Sequence, residues 1–567
     1  MIVLDGHSLT IEQLAEIARD PRVQVTRDAA ADERIARSEA LIAKIVENYR
    51  RAYESGGDPP NEYGVTTGFG EFKDKRIAPD DLEQLQRNLL LSHSAGVGDE
   101  VFDPEVVRGA LVTRLNAFLR GNSGVRRTMV DIVQAMLNRG VIPLVPQRGS
   151  VGASGDLAPL AHTFATLLGV GRFKIGDQVH DATDLPKILG FDAEAMKPTF
   201  KEGLALVNGV NYSASMLALG VFDAERLADL ADAAAAMTME AMCGCTRALD
   251  PKVHEARGQA GQIRSAARMR ELLRGSRLVE RAGAVQDPYS LRCAPQVHGA
   301  SRDAIGFARS IAEREINAAT DNPLFFPEDG EPWDLQFRAN WPKSYRGDHR
   351  LAYSAGNFHG QPIAIAADLL SIAVAELASI SERRTQMLLD GNHNRRLPQN
   401  LTTRPGVNSG LMIAQYSAAS LVSENKVLAH PASVDSIPTA ANAEDHVSMS
   451  THAARKMRNV LRNAETVLAI ELLVVAQALD WRVGMSTDPT APRPPLSMEE
   501  ADKQARAFAQ IDPAKVAEGL APALRPIYAR IREVSPPLTH DRPLNIDGVR
   551  SLILLFLPRV EKEESKT

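Results

Sequence analysis

The sequence predicts a mostly α protein, a bundle of long helices with few short strands. Two observations carry this reading. Apolar residues recur at three- and four-residue spacing over long stretches, and alternating strand patterns are rare. Long helices in succession with few strands argue for a bundle. Along the chain, the first strand candidates are Leu144-Val145-Pro146 and Arg172-Phe173-Lys174-Ile175. Met216 to Met242 reads as a helix very rich in alanine, whose small side chains let neighbouring helices approach closely. From Pro362 to Leu388 the apolar positions are Ile363, Ala366, Leu370, Val374, Leu377 and Ile380, with Pro362 tolerated in a first turn. From Ala453 to Ala478 the same spacing runs from Met457 through Leu461, Leu468 and Leu472 to Val475. The Pro-rich stretch Asp488 to Pro495 reads as a linker, and the charged tail Glu561 to Thr567 as a frayed end. We divide the chain into residues 1–205, a long-helix bundle over 206–485, and a smaller helical region over 486–567.

Composition sets bounds. At 567 residues and 44% hydrophobic, the chain can bury a large core. A net charge of −6 gives no basic footprint, so nucleic acid is not an expected partner. Three cysteines, Cys243, Cys245 and Cys293, are too sparse for a disulfide framework and point to a reducing, cytoplasmic compartment. Cys243-Gly244-Cys245 is too isolated for a zinc site and reads as buried small hydrophobes. The thirteen histidines show no HExxH or paired-ligand spacing, so no metal is expected. Met1 to Asp5 lacks a signal-peptide pattern. The apolar run Val467 to Leu479 contains Glu471 and Gln477 and is shorter than the ~20 residues that span a bilayer, so no membrane is expected.

The chemistry concentrates in Gly149-Ser150-Val151-Gly152-Ala153-Ser154-Gly155-Asp156-Leu157. At its centre, Ala153-Ser154-Gly155 can fold back tightly enough for the Gly155 nitrogen to attack the Ala153 carbonyl, because glycine has no Cβ and tolerates positive φ. Loss of water, including the Ser154 hydroxyl, leaves a conjugated five-membered ring with an exocyclic methylene. Such a ring is an electrophile that no standard side chain provides.

This stretch resembles the signature of the aromatic amino acid ammonia-lyases. Further blocks in the same order extend the resemblance over most of the chain. They are Tyr63 to Gly70, Asn88 to Gly98, Leu204 to Gly209, Gln286 to Cys293, Asp321 to Leu324, Gly356 to Gly360 and Gly406 to Met449. The resemblance implies the cofactor 4-methylideneimidazol-5-one (MIO) formed from Ala153-Ser154-Gly155, in an N-terminal cofactor-bearing domain. It implies elimination of ammonia from an L-α-amino acid to give a trans-α,β-unsaturated acid. It also implies a homotetramer whose sites each draw on three subunits. Whether the electrophile takes the amino group or the aromatic ring is open at this point.

Site residues follow from the same matches. Tyr63 matches the base that removes the β-proton, for which its phenol, near ~10 in water, must be depressed. Arg292 matches the carboxylate clamp, where a guanidinium fork suits a carboxylate. Asn208, Gln286 and Tyr289 match polar pocket residues able to stabilise developing charge. Phe358 matches an aromatic neighbour of the cofactor, and Asp156 stands where it can position the loop.

Two positions bear on the substrate. His93, in Ser92-His93, points to a polar ring, because phenylalanine lyases resemble one another in apolar or aromatic residues there. Glu444, in Glu444-Asp445-His446, resembles the histidine lyases, whereas phenylalanine and tyrosine lyases usually carry an amide. A carboxylate can pair with an imidazole but gains nothing from a phenyl ring. These residues favour L-histidine, giving urocanate. Thr66-Thr67, where histidine lyases commonly show Asn-Thr, dissents. So does an insertion from Phe325 to Tyr353 with Trp333 and Trp341, read as a surface excursion packed by its own aromatics, or else a lid or subunit contact. Tyrosine or phenylalanine ammonia-lyase and an MIO-dependent aminomutase are the alternatives. The fumarase and aspartase class is set aside because its Gly-Ser-Ser-x-Met-Pro signature is absent.

Overall fold

Long helices dominate the structure, among them Ala29–Glu54, Asn211–Ala241, Ala294–Glu315, Gln361–Leu389 and Ser450–Leu479. The computed structural model describes residues 1–57, 61–327, 333–340, 352–491 and 497–556. The described residues are 61% helical with few short strands, as the spacing predicts. The three predicted helices are all present; Gln361–Leu389 and Ser450–Leu479 match their predicted spans to within a turn, and Asn211–Ala241 begins five residues before Met216. Two of them begin earlier than the apolar pattern, because their first turns are polar: Asn211-Tyr212-Ser213 and Ser450-Thr451-His452. Those polar turns hold the loop described below. The alanines of Asn211–Ala241 are buried almost throughout, which lets the helix run through a close-packed interior.

Strand β1 (Ile2–Leu4) pairs in parallel with β2 (Val25–Arg27). Strand β3 (Val97–Val101) pairs antiparallel with β5 (Pro146–Arg148). A second antiparallel set orders β4 (Ile142–Pro143), β6 (Arg172–Ile175) and β7 (Gln178–Asp181). The strand expected over Leu144–Pro146 is displaced. The chain leaves one sheet at Pro143 and enters another at Pro146, with the Leu144 N–H donating to Arg172 and the Val145 carbonyl accepting from Phe102. Two prolines, each without an N–H, flank the change of partner.

The chain forms two compact units that interleave in sequence. The first comprises Met1–Phe222, Ala308–Asp368 and Pro431–Arg455, and the second Asp223–Phe307, Leu369–His430 and Lys456–Thr567. In the first, Ile42, Ile45, Tyr49, Val65, Leu82 and Phe325 form a buried cluster. Phe325 begins the insertion, and Leu324 pairs with Tyr353 at its base, where Phe326 and Tyr353 meet edge to face at 5.2 Å. Trp333 opens a 3-10 turn through Asn340, and Trp341 lies outside the described residues. The charged tail and most of the Pro-rich linker also lie outside them. Cys243 is buried, Cys245 and Cys293 are half-buried, and all three are free.

Helix Gln361–Leu389 is long and apolar enough to cross a membrane by length and composition, yet 67% of its apolar window is buried within the protein. A core helix has this character.

The second unit holds a polar network inside its helices. Glu471 accepts a bidentate pair from Arg384 (2.6 and 2.8 Å) and hydroxyl bonds from Thr238 (2.9 Å) and Ser381 (2.7 Å). Nearby, His298 bonds Asp232 at 2.7 Å, and Asp232 also binds Arg302 at 2.5 Å. Glu471, Arg384, His298 and Asp232 are fully buried. Removing one partner strands the other's charge, which costs about 3–5 kcal/mol. Glu471→Ala is therefore expected to lower the urea midpoint strongly. Glu47→Ala, which breaks the exposed pair with Arg51, should cost under about 1 kcal/mol. Equal effects of the two substitutions would contradict a structural role for the buried network.

Candidate active site

Strand β5 delivers the chain to Gly149, and the loop runs to Asp156 before helix Leu157–Ala165. A Cβ on Gly149 would lie 2.9 Å from the Gly96 Cα, so the backbone just after His93 lies against the start of the loop. Gly155 has φ +77°, and a Cβ there would lie 2.2 Å from the Gly209 carbonyl oxygen. Any side chain at this position clashes and is strained. The Gly209 N–H donates to the Ser154 carbonyl (3.1 Å), and the Asp156 N–H donates to the Gly209 carbonyl (2.7 Å).

A distant segment grips the other side of the loop. The Met449 N–H donates to the Val151 carbonyl (3.0 Å), and Ser448 Oγ donates to the Gly152 carbonyl (3.3 Å). Asp156 is fully buried and accepts from Thr451 Oγ1 (2.5 Å), the Ser213 N–H (2.8 Å) and Ser213 Oγ (3.0 Å). Burial pushes the Asp156 carboxyl up, against those hydrogen bonds. Asn208 is buried beside this loop, and its Oδ1 has no hydrogen-bond partner among the described residues. A turn that admits only glycine at 155, with the Ser154 carbonyl held by the Gly209 N–H, fits the ring expected from Ala153-Ser154-Gly155.

Tyr63, His93 and Glu444 come together electrostatically in the same unit. Val65 roots the Tyr63 loop in the core cluster, and Thr66 Oγ1 accepts from the Glu62 N–H at 2.8 Å. The Gly70 N–H donates to Tyr63 Oη at 3.3 Å. The expected depression of the Tyr63 phenol is not found within one chain. Burial raises it, the charge of Glu444 adds to the rise, and the Gly70 N–H opposes both. His93 closes helix Leu82–His93, with Nδ1 3.0 Å from Ser92 Oγ. Burial lowers its pKa against the pull of Glu444, so the ring is neutral near pH 7. Glu444 is half-buried and accepts from Thr439 Oγ1 at 2.6 Å. Between them Ala440, Ala441 and Asn442 all have positive φ, 49° to 70°. Three strained residues in a row are costly and occur where a site needs a fixed geometry.

No hydrogen bond or ion pair joins this trio to Ser154 or Asn208 among the described residues. Phe358 is half-buried and precedes His359, which stacks on His446 at 5.8 Å. Gln286, Tyr289 and Arg292 belong to the second unit. Gln286 is exposed and Tyr289 is 71% exposed, with the Arg292 guanidinium 4.4 Å from its ring centroid. Asp287 anchors this segment through Arg395 (2.5 Å) and the Cys245 N–H (2.6 Å). Sequence reasoning missed Thr439, Thr451 and Arg114, the last of which donates to the Asn208 carbonyl at 2.7 Å. A threonine or arginine in a helical or loop pattern carries no signal of its distant partner.

A family model for aromatic amino acid lyases matches residues 9–508. The chain belongs to the aromatic amino acid lyase family. A histidine ammonia-lyase of Caldanaerobacter subterraneus subsp. tengcongensis is 44% identical to this lyase over 564 residues, covering 99% of it and 97% of that relative. A histidine ammonia-lyase of Gloeobacter violaceus is 48% identical over 85% of this lyase and 88% of its own length. Among solved structures, histidine ammonia-lyase from Trypanosoma cruzi superposes with a TM-score of 0.77 at 35% identity, with full coverage of both chains. Tyrosine aminomutase from Streptomyces globisporus gives 0.81 at 32% identity, covering 98% of this lyase and 97% of that chain.

The electrostatics of the trio make a directional prediction. Removing the Glu444 charge removes one of the two influences that raise the Tyr63 phenol. In Glu444→Gln the tyrosinate should therefore form at lower pH, as read by ultraviolet difference titration against Tyr63→Phe. An unchanged or higher Tyr63 pKa would show that the two groups do not face each other.

Proposed function

We infer that this carbon–nitrogen lyase eliminates ammonia from L-histidine to give trans-urocanate. The observation that carries the reading is Glu444, held by Thr439 beside a neutral His93 and Tyr63. A fixed carboxylate next to a neutral imidazole suits a ring with an N–H to donate, and it would be poorly matched to phenyl. Histidine ammonia-lyases at 44–48% identity support the same substrate.

The MIO group, when formed from Ala153-Ser154-Gly155, supplies the electrophile that makes the departing nitrogen and the β-proton labile. The chain's own residues do the rest. The Gly209 N–H holds the Ser154 carbonyl side of the loop, with Asn208 beside it. Arg292 binds the substrate carboxylate as a planar fork, with Gln286 and Tyr289 beside it, and Phe358 walls the ring. Glu444 accepts the imidazole N–H and orients the ring. Tyr63 takes the β-proton as general base. Within the chain burial and Glu444 raise its pKa and the Gly70 N–H opposes them, so the base role calls for further positive charge that the assembled site or the substrate supplies.

A homotetramer with shared sites supports this arrangement. The candidate residues fall into sets that no hydrogen bond joins among the described residues of one chain. Tyr289 stands in solvent, and helix Met412–Leu428 exposes Tyr416 and Val427. A cytoplasmic enzyme acting on a small amino acid, with no nucleic acid or membrane partner, accords with the composition.

A second reading, a tyrosine-directed aminomutase or lyase, draws on the aminomutase neighbour. Steady-state assays of histidine, tyrosine and phenylalanine with product identification separate the two. Histidine is expected to dominate, with urocanate as product. Faster turnover of tyrosine or phenylalanine, or a β-amino acid product, would overturn the substrate. Loss of one hydrogen bond to a charged group is worth ~1.5–3 kcal/mol. Glu444→Gln should thus cut histidine turnover by about tenfold or more, without a parallel fall on the other rings.

The cofactor has its own test. The mature chain should be lighter than its sequence by two waters, and Ser154→Ala should fold, keep a full-sequence mass and lose nearly all activity. A fully active wild-type chain of unmodified mass would refute MIO.

A further inference from the structure

Arg114 sits in helix Pro104–Leu119 and is fully buried. Its Nη2 donates to the Asn208 carbonyl at 2.7 Å, while its Nε and Nη1 have no partner among the described residues. A buried guanidinium is costly unless paired, and the nearby Lys201 spends its charge on Asp321 at 2.8 Å. Burial pushes the Arg114 pKa down to about 10 against the pull of the Asp321 and Asp156 carboxylates, so it is charged at neutral pH. The same peptide that takes this bond on its carbonyl offers its other end, the Gly209 N–H, to the Ser154 carbonyl at 3.1 Å. Gly209 has φ +133°, and a Cβ on it would lie 2.8 Å from Arg114 Nη2, so only glycine lets the guanidinium close on this peptide.

We propose that Arg114 is a positioning residue for the loop: it polarises the Asn208–Gly209 peptide so that the Gly209 N–H stabilises negative charge on the Ser154 carbonyl oxygen. The inference rests on the MIO reading above. Ring closure between the Gly155 nitrogen and the Ala153 carbonyl carbon releases one water and places no charge on the Ser154 oxygen. The second loss does. The Ser154 Cα–H bond breaks and its electron pair moves onto the Ser154 carbonyl oxygen. The pair then returns to form the Cα–Cβ double bond as the Cβ–Oγ bond breaks. The proton and the hydroxide leave as one water, with no change of oxidation state overall. A cation one peptide removed lowers the cost of the charged stage, and preorganised donors act without reorganisation.

Intact mass of the full chain, followed over time after a pulse of expression, separates the two losses. Arg114→Met, which keeps bulk and removes charge, is expected to accumulate chains lighter by one water. Their second loss should be at least about tenfold slower, a smaller effect than the ~10²–10³ of deleting a direct donor. Arg114→Lys, which keeps the charge, should restore the second loss. Thermal melting shows whether each variant is folded. If Arg114→Met does not fold, Arg114→Gln decides, since it can still donate to Asn208 but carries no charge. Loss of both waters at the wild-type rate in a folded uncharged variant would overturn the proposal. So would a folded variant that loses no water, or one that Lys does not rescue. A wild-type chain that loses no water would instead refute the MIO reading itself.

Discussion

The buried carboxylate of Asp156 is the constraint on which the loop and its surroundings depend. It receives the first-turn N–H and hydroxyl of Ser213, from helix Asn211–Ala241, and the first-turn hydroxyl of Thr451, from helix Ser450–Leu479. It also precedes helix Leu157–Ala165. The N-terminal ends of helices carry partial positive charge and unpaired N–H groups, so the bonds from two of them offset part of the cost of burying this carboxyl, which still raises its pKa. One side chain therefore sets where the Ala-Ser-Gly turn lies relative to segments some 57 and 295 residues away. The glycines then do what the carboxylate cannot. Gly149, Gly155 and Gly209 let three stretches of backbone approach more closely than a Cβ allows.

Much of the fold was legible because long apolar helices announce themselves by spacing. The predicted starts at Met216 and Ala453 came late, since the polar turns Asn211–Ser213 and Ser450–His452 break the apolar pattern. Those turns are polar because they serve the loop, so the reading failed where function overrides patterning. The strand over Leu144–Pro146 was displaced for a backbone reason. A change of sheet partner between two prolines has no hydrophobic signature.

The candidate site was legible in its reactive residues and silent on their supports. Tyr63, His93, Ser154 and Glu444 stand in recognisable blocks. Thr439, which fixes the Glu444 carboxylate, lies only five residues away, yet nothing in the sequence shows the run of left-handed residues that turns one toward the other. The direction of the Tyr63 pKa shift was equally hidden, because it depends on burial and on a charge from a segment nearly 400 residues on. Reactive groups leave motifs, whereas the electrostatic field that tunes them is a property of the folded chain.

The grip of Ser448, Met449 and Thr451 on the Val151–Asp156 loop has a consequence for timing. A chain still emerging from the ribosome carries Ala153-Ser154-Gly155 long before residue 451 exists. Until then, the hydrogen bonds that hold the turn have no donors from that side. On the reading proposed here, the nascent polypeptide bears an inert tripeptide through most of its synthesis. If ring closure needs that grip, the reactive group forms after the distant segment has docked, and partly made chains present no electrophile to the thiols and amines around them.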